Sequence, residues 1–381
     1  MPEFQVVWTS PKDSLNETFS YLDLEVDSDE EIYRFGLVTP TGLWDADRTQ
    51  AEEIRSQLRH ICQTNSGLCG HNIRRFDYPH LIRKWAELEP LLVIDTLELS
   101  VLAFPLHPSH KLQKDYKLSQ YASNNPLEDA QATRFLLQQI LQTLAEQPEA
   151  LQLTYCWLLS CGSEAADCAY QFLFQQLGLQ ITSPPQLDEL PEGEIAQMER
   201  GYLEHLWQHP NELNFDDRLS LAALLSWNYA RHQTSSRQAP STWLYHLPRF
   251  QTLLDALFPV EPEGFTYQPY FQEFDIPGFR PHQEEAVQAI LAEKRPLILM
   301  ATGGGKSLCY QLPALMYYRR QRGLTVCVSP LQALMEDQVA DLDAAGLDFA
   351  TFINGTLSAE ERSQRLEQIR DGWKGLLYIS P

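Results

Sequence analysis

The sequence has no run of about 18 consecutive apolar residues, the least that a membrane-crossing helix requires, and Met1 to Ser10 lacks the basic start and apolar centre of a secretion signal. Nothing in it addresses the chain to a membrane, and a cytoplasmic location is expected. It also lacks any C-x-x-C pair. Its cysteines, Cys62, Cys69, Cys156, Cys161, Cys168, Cys309 and Cys327, are odd in number, which argues against a disulfide framework or a zinc ribbon and for free, buried thiols. Basic residues are scarce: 29 Lys and Arg stand against 51 Asp and Glu, a net charge of -22. That balance runs against a polyanionic partner, because Lys and Arg neutralising phosphates supply most non-specific affinity for nucleic acid. The shortage is local. Residues 274–381 hold 11 basic and 13 acidic residues, a net of -2, so a net of -20 falls on residues 1–273.

The 381 residues, 44% of them hydrophobic, suffice for two or three domains with cores of their own. From Phe19 to Thr39, two apolar runs flank the acidic turn Asp27 to Glu31, the pattern of an antiparallel hairpin. Short strands are expected at Leu68 to Asn72 and Leu91 to Thr96, with helical periodicity between them and from Leu127 to Leu144. Residues 1–147 therefore read as an α/β domain. Residues 148–270, rich in Leu, Ala, Gln and Trp at helical spacing, read as a helical connector. Polar breaks lie at Ser183 to Gly193 and at His232 to Pro240. Residues 271–381 form a third domain.

That third domain contains PLILMATGGGKSLCYQLPAL, in which an apolar run, Leu297 to Met300, precedes a glycine loop and a helix follows it. A buried strand is expected at Leu297 to Met300. Thr302, Gly303, Gly304, Gly305, Lys306 and Ser307 make up the phosphate-binding part. Glycines can take φ > 0 and leave backbone N–H groups clear to wrap phosphates at a helix N-terminus, Lys306 reaches the β and γ phosphates, and the Ser307 hydroxyl serves Mg2+. ATP with Mg2+ is the implied cofactor.

The segments FDIPGFRPHQEEAV, MATGGGKSLCYQLPAL, VSPLQALMEDQV and LLYISP follow one another in an order and at separations that resemble the RecQ family of superfamily 2 helicases over about 108 residues. The resemblance implies a RecA-like P-loop ATPase lobe, ATP-dependent 3'-5' unwinding and DNA as partner. It makes Phe279, Arg280 and Gln283 the adenine-reading motif, with Ile276 where many members carry a stacking aromatic. Ser329, Pro330 and Leu331 match the segment that touches the DNA backbone, with Asp337 and Gln338 on the helix beyond. The chain stops at Pro381, ahead of that family's D-E-x-H motif and second lobe, so the expectation is a piece of a longer helicase that does not unwind DNA by itself.

Asp23 and Glu25, in YLDLEV, alternate along a strand and so project from one face, where they can share a metal ion. GHNIRRFDYPHL follows with Asp77, and NNPLEDAQATRFLL with Asp129. Together these segments resemble the motifs of the DEDD 3'-5' exonucleases, which have a ribonuclease-H-like fold. The resemblance implies that Asp23, Glu25, Asp77 and Asp129 hold two divalent ions, Mg2+ or Mn2+, one activating water and the other steadying the leaving 3' oxygen. The substrate would be single-stranded DNA or DNA with a 3' end. Asp95, in VIDTLEL, is expected to be structural. The family's His or Tyr general base is replaced by Asn124 and Asn125, neither of which takes a proton at neutral pH. His110, Lys111 and Tyr116 are the candidate substitutes, and His71 is expected to brace the scaffold. Two readings follow: a working nuclease, or a DNA- or partner-binding module with a degenerate nuclease site.

Overall fold

The computed structural model describes residues 18–64, 66–112, 125–179, 185, 200–209, 212–234, 239–258, 267–292, 294–301 and 303–381. Met1 to Ser10, Tyr116, Asn124, Thr302 and most of the Ser183 to Gly193 break lie outside the described residues.

The first compact unit takes in residues up to Pro105, His110–His232 and Leu244–Pro259. Its sheet contains β1 (Phe19–Val26), β2 (Ile32–Thr39), β3 (Gly42–Asp47), β4 (Gly67–Gly70) and β5 (Leu92–Asp95), in the order β3-β2-β1-β4-β5. The first three strands are antiparallel neighbours, whereas β4 joins β1, and β5 joins β4, in parallel. The expected hairpin forms as β1 and β2. Its turn is closed by Asp27, whose Oδ1 accepts 3.0 Å hydrogen bonds from the N–H groups of Asp29 and Glu31. Leu22, Leu24, Phe35 and Leu37 bury one sheet face against Ile54 and Leu58 of α1 (Ala51–Gln63). On the other side α4 (Pro126–Ala145) crosses β1 and β2, while α2 (Asp77–Lys84) and α3 (Thr96–Ala103) follow β4 and β5.

The segment read as a helical connector divides between the units: residues 148–232 and 244–259 fall in the first, 233–243 and 260–270 in the second. Of its helices, α5 (Glu149–Ser160) packs on α6 (Ala165–Gln176), and α6 packs directly on β5. Further along come α7 (Arg200–Gln208), α8 (Phe215–Thr234) and α9 (Phe250–Leu257).

The second unit comprises Leu106–Ser109, Gln233–Trp243 and Val260–Pro381. After α10 (Gln268–Glu273) and α11 (Gln283–Leu291), α12 (Lys306–Gln321), β6 (Thr325–Val328), α13 (Gln332–Ala344), β7 (Ala350–Ile353), α14 (Ala359–Arg370) and β8 (Leu376–Ile379) alternate as a parallel α/β layer. The strand order is β6-β8-β7, all parallel. Its core joins Leu315 and Tyr318 of α12 to Met335 and Leu342 of α13 and to Phe349, Leu376 and Tyr378.

One expectation fails here. Leu297 to Met300 forms no strand, and Leu297 and Leu299 are 86% and 85% exposed. An apolar run becomes a buried strand only if neighbours satisfy its backbone and cover both faces. Among the described strands of this unit the sheet runs β6-β8-β7 without it, and β6 itself leaves Val326 and Val328 exposed.

Candidate functional site

In the second unit, Gly303 and Gly305 take φ of 77° and 78°, the left-handed region that strains any side chain. Gly305 is the N-cap of α12, so the unpaired N–H groups of that helix's first turn, with their positive dipole end, border the loop. Such an end attracts phosphate. Lys306, the first residue of α12, is exposed, and its Nζ donates to the carbonyls of Met300 at 2.8 Å and Ala301 at 3.0 Å. A triphosphate would offer it charged acceptors, which form the stronger bonds. Ser307, the second residue of α12, is half-buried. One neutral hydroxyl suits Mg2+, which keeps several waters and takes few protein ligands beside phosphate oxygens.

Arg280 and Gln283 are tied to this loop. The Arg280 guanidinium donates to Gly303 O at 2.9 Å, and Gln283 Nε2 donates to Gly305 O at 2.9 Å, while Gln283 Oε1 accepts from Arg280 N–H at 2.7 Å. Gln283 is 2% exposed, with both ends of its amide engaged by the chain. Phe279 lies below them in an aromatic cluster, its ring 4.8 Å from those of both Tyr267 and Phe271, and Ile276 packs against the same cluster.

In the first unit, Asp23 and Glu25 are half-buried on one face of β1. Asp77 opens α2 and is 2% exposed. Parallel pairing of β4 with β1 stops at Tyr21↔Cys69, so the Leu24 N–H lies beyond that ladder, and Asp77 Oδ1 accepts from it at 3.0 Å. Burial foremost, and the charge of Asp23 next, hold the Asp77 carboxyl well above the usual carboxylate range. Asp129 sits half-buried in the first turn of α4. The start of that helix lies over Gly36, where a Cβ would be 2.0 Å from the Pro126 carbonyl carbon. Gly36 is the register partner of Asp23. Among the described residues, no three His, Cys, Asp or Glu side chains converge as a metal site needs. The structure thus brings Asp77 within Coulombic reach of Asp23, and among the described residues no third ligand completes such a group with them.

Asp95, expected to be structural, belongs to a buried network whose other members, Arg74, Glu98 and Tyr170, the sequence reading missed. Asp95, fully buried, accepts from the N–H groups of Asn72 at 2.9 Å, Arg74 at 3.1 Å and Leu97 at 2.9 Å, and so pins the bend between β4 and α2. Burial and then Glu98 push its carboxyl up to about 7. Glu98, also fully buried, pairs with Arg74 at 2.8 Å and accepts from Tyr170 Oη of α6 at 2.9 Å. Arg74 stacks over Phe215, 4.4 Å from its ring centre. Two arginines in GHNIRRFD and a glutamate one turn beyond Asp95 were the available signal.

The candidate bases differ in setting. Asn125 caps α4, its Oδ1 accepting from Leu127 N–H at 3.2 Å. His71 Nδ1 lies 3.0 Å from Thr96 Oγ1, and burial lowers the ring's pKa to about 4, which leaves it neutral at pH 7. His110 is buried and Lys111 is exposed.

No helix among the described residues is long and apolar enough to cross a membrane. Residues 280–381 match the DEAD/DEAH box helicase family. The chain is 46% identical over 108 residues to the ATP-dependent helicase SGS1 of Saccharomyces cerevisiae, covering 28% of this chain and 7% of that protein. It is 42% identical over 137 residues to the ATP-dependent DNA helicase RecQ of Pasteurella multocida, covering 36% of this chain and 19% of that one. With the mouse ATP-dependent DNA helicase Q4 the identity is 37% over 156 residues, 39% of this chain and 13% of the relative. The chain therefore spans less than a fifth of each of these relatives. Over residues 280–381 the chain is thus similar to the DEAD/DEAH box helicase family, and over part of its length to ATP-dependent DNA helicases of RecQ type.

Proposed function

We propose that this chain supplies the ATP-binding part of a RecQ-type DNA helicase that unwinds in the 3'-5' direction, joined to a front domain of DEDD 3'-5' exonuclease type. The phosphate loop carries the first half of the reading. Glycines at positive φ, a helix N-terminus, Lys306 and Ser307 lie together, and Arg280, ahead of α11, and Gln283, its first residue, clamp the loop. In this reading Lys306 binds the β and γ phosphates and Ser307 gives a lone pair to Mg2+. The ion would neutralise phosphate charge when bound. Ser329 to Leu331 would face the DNA backbone.

For the front domain, the strand order β3-β2-β1-β4-β5, with three antiparallel strands followed by two parallel ones, supports a ribonuclease-H-like fold. Asp77 against β1 beside Asp23, and the start of α4 over Gly36, support a carboxylate site on that sheet. A second reading, a DNA- or partner-binding module whose nuclease site is degenerate, is supported by Asn125, which caps α4 where the family would supply a general base.

Mn2+-dependent shortening of 5'-labelled single-stranded DNA, compared between the wild-type chain and Asp23→Ala, separates the two. The nuclease reading expects shortening that Asp23→Ala abolishes. Wild-type protein that binds the strand without shortening it leaves the binding module, and shortening that survives Asp23→Ala overturns the assigned site.

A further inference from the structure

The bend between β4 and α2 carries two consecutive arginines whose charges are met in different ways. Arg74 Nε donates to both carboxylate oxygens of Glu98, at 2.8 Å and 3.0 Å, and Glu98 is fully buried, so this pair belongs to the core. Arg75 has a side chain 33% exposed, and its Nη2 donates to Asp216 Oδ1 at 2.7 Å while standing 4.0 Å from Glu98. Asp216 is 23% exposed and also accepts from Arg74 Nη2 at 3.2 Å.

Asp216 and Asp217 both lie in the first turn of α8, where negative charge suits the helix dipole. Their partners differ. Asp217 is buried and is held by Arg249 at 2.9 Å, as the buried Asp167 is by Arg218 at 2.5 Å. Breaking a buried ion pair is costly, whereas a partly exposed one is screened by water and contributes little. Arg75 and Asp216 therefore form a pair that an incoming anion can open.

Arg75 stands two residues before Asp77, in the acidic part of a chain whose basic residues are scarce. Across Arg74, Arg75, Glu98 and Asp216, two positive and two negative charges cancel, so the bend offers a phosphate no net attraction while Asp216 is in place. A phosphodiester presents the same planar fork of oxygens to a guanidinium as a carboxylate does.

We propose that Arg75 contacts a backbone phosphate of a single DNA strand at the front domain, and that Asp216 is a built-in competitor that occupies Arg75 until the strand arrives. This inference rests on the front-domain reading above. Arg74 keeps its bonds to Glu98 throughout, and only the bond between Arg75 and Asp216 is exchanged. Removing the Asp216 charge leaves the four groups with one net positive charge, and that charge is met by phosphate.

The test uses the 381-residue chain. A 5'-fluorescein-labelled single strand is titrated in EDTA, which prevents shortening, and anisotropy gives the affinity between about 50 and 200 mM salt. Asp216→Asn is expected to tighten binding roughly 2- to 5-fold, the worth of one partly exposed ion pair. It should also steepen the slope of log affinity against log salt by about 0.7, one more phosphate neutralised on a single strand. Arg75→Gln should weaken binding, and Asp216→Asn added to it should give no gain. Backbone hydrogen exchange should show residues 71–80 protected by the strand. An unchanged salt slope in Asp216→Asn overturns the proposal and leaves Asp216 as a brace of α8. A gain that survives Arg75→Gln overturns it as well, since it would be a general effect of charge. Wild-type protein that binds no strand, or protects none of residues 71–80, overturns the front-domain reading itself, a separate and recognisable failure.

Discussion

Gly36→Ala puts a methyl group where the start of α4 already lies. The added carbon would stand 2.0 Å from Pro126 C, 2.1 Å from Pro126 O and 2.3 Å from Leu127 N. Carbon atoms pack at about 3.5–4.0 Å, so the helix start must retreat by roughly 1.5–2 Å. No rotamer change relieves this, because all three obstacles are backbone. Overpacking of this kind costs roughly 1–3 kcal/mol, and for a unit of this size each kcal/mol lowers the melting temperature by about 2–4 °C. A fall of roughly 3–10 °C is therefore expected in the thermal transition of the first unit, followed by calorimetry. Asp129 would move with the helix, so any melting-point rise produced by Mn2+ should also shrink. A variant that melts within 1 °C of the wild type would refute the close approach of α4 to β2.

Three further substitutions probe other parts of the account. Asp77→Asn keeps an acceptor for the Leu24 N–H and removes an ionisation that the folded state disfavours; because the folded pKa lies above the unfolded one, wild-type stability should fall as pH rises from about 4 towards that raised value, and the variant should lose this dependence. Parallel pH–stability curves for the two proteins would contradict the burial of Asp77 beside Asp23. Gln283→Ala leaves the Arg280 N–H and Gly305 O without their partner and should lower ATP and GTP affinity together, on the order of 10-fold; a loss confined to ATP would return the amide to adenine reading. Leu299→Ser should change stability by no more than about 0.5 kcal/mol, as at an exposed position, and a urea-measured loss of 2 kcal/mol would mean that Leu297 to Met300 is buried after all.

What the sequence disclosed was what neighbours in the chain decide. The β1–β2 hairpin was legible because an acidic turn separates two apolar runs, and α4 because Asn125-Pro126 precedes a long helical period. β3 was not, since GLWDAD lies at the sheet edge and alternates too weakly to stand out. Leu297 to Met300 misled because composition reports that a strand could be buried, while burial depends on partners far along the chain. The attachment of α6 to β5, and the Arg74–Glu98–Tyr170 network with it, joins residues 24 and 72 positions apart. The phosphate loop was readable because its glycines, lysine and serine are contiguous. The hydrogen bonds that join Tyr310 to Gln338 and Tyr378 were not, because those partners lie 28 and 68 residues away.

The central claim is that Thr302 to Ser307 binds ATP with Mg2+. Isothermal titration of Mg2+–ATP into the wild-type chain and into Lys306→Ala tests it most directly. Weak binding of one nucleotide per wild-type chain, with negligible hydrolysis, is expected, and no measurable heat with Lys306→Ala. Equal binding by the two proteins, or none by the wild type, would contradict it.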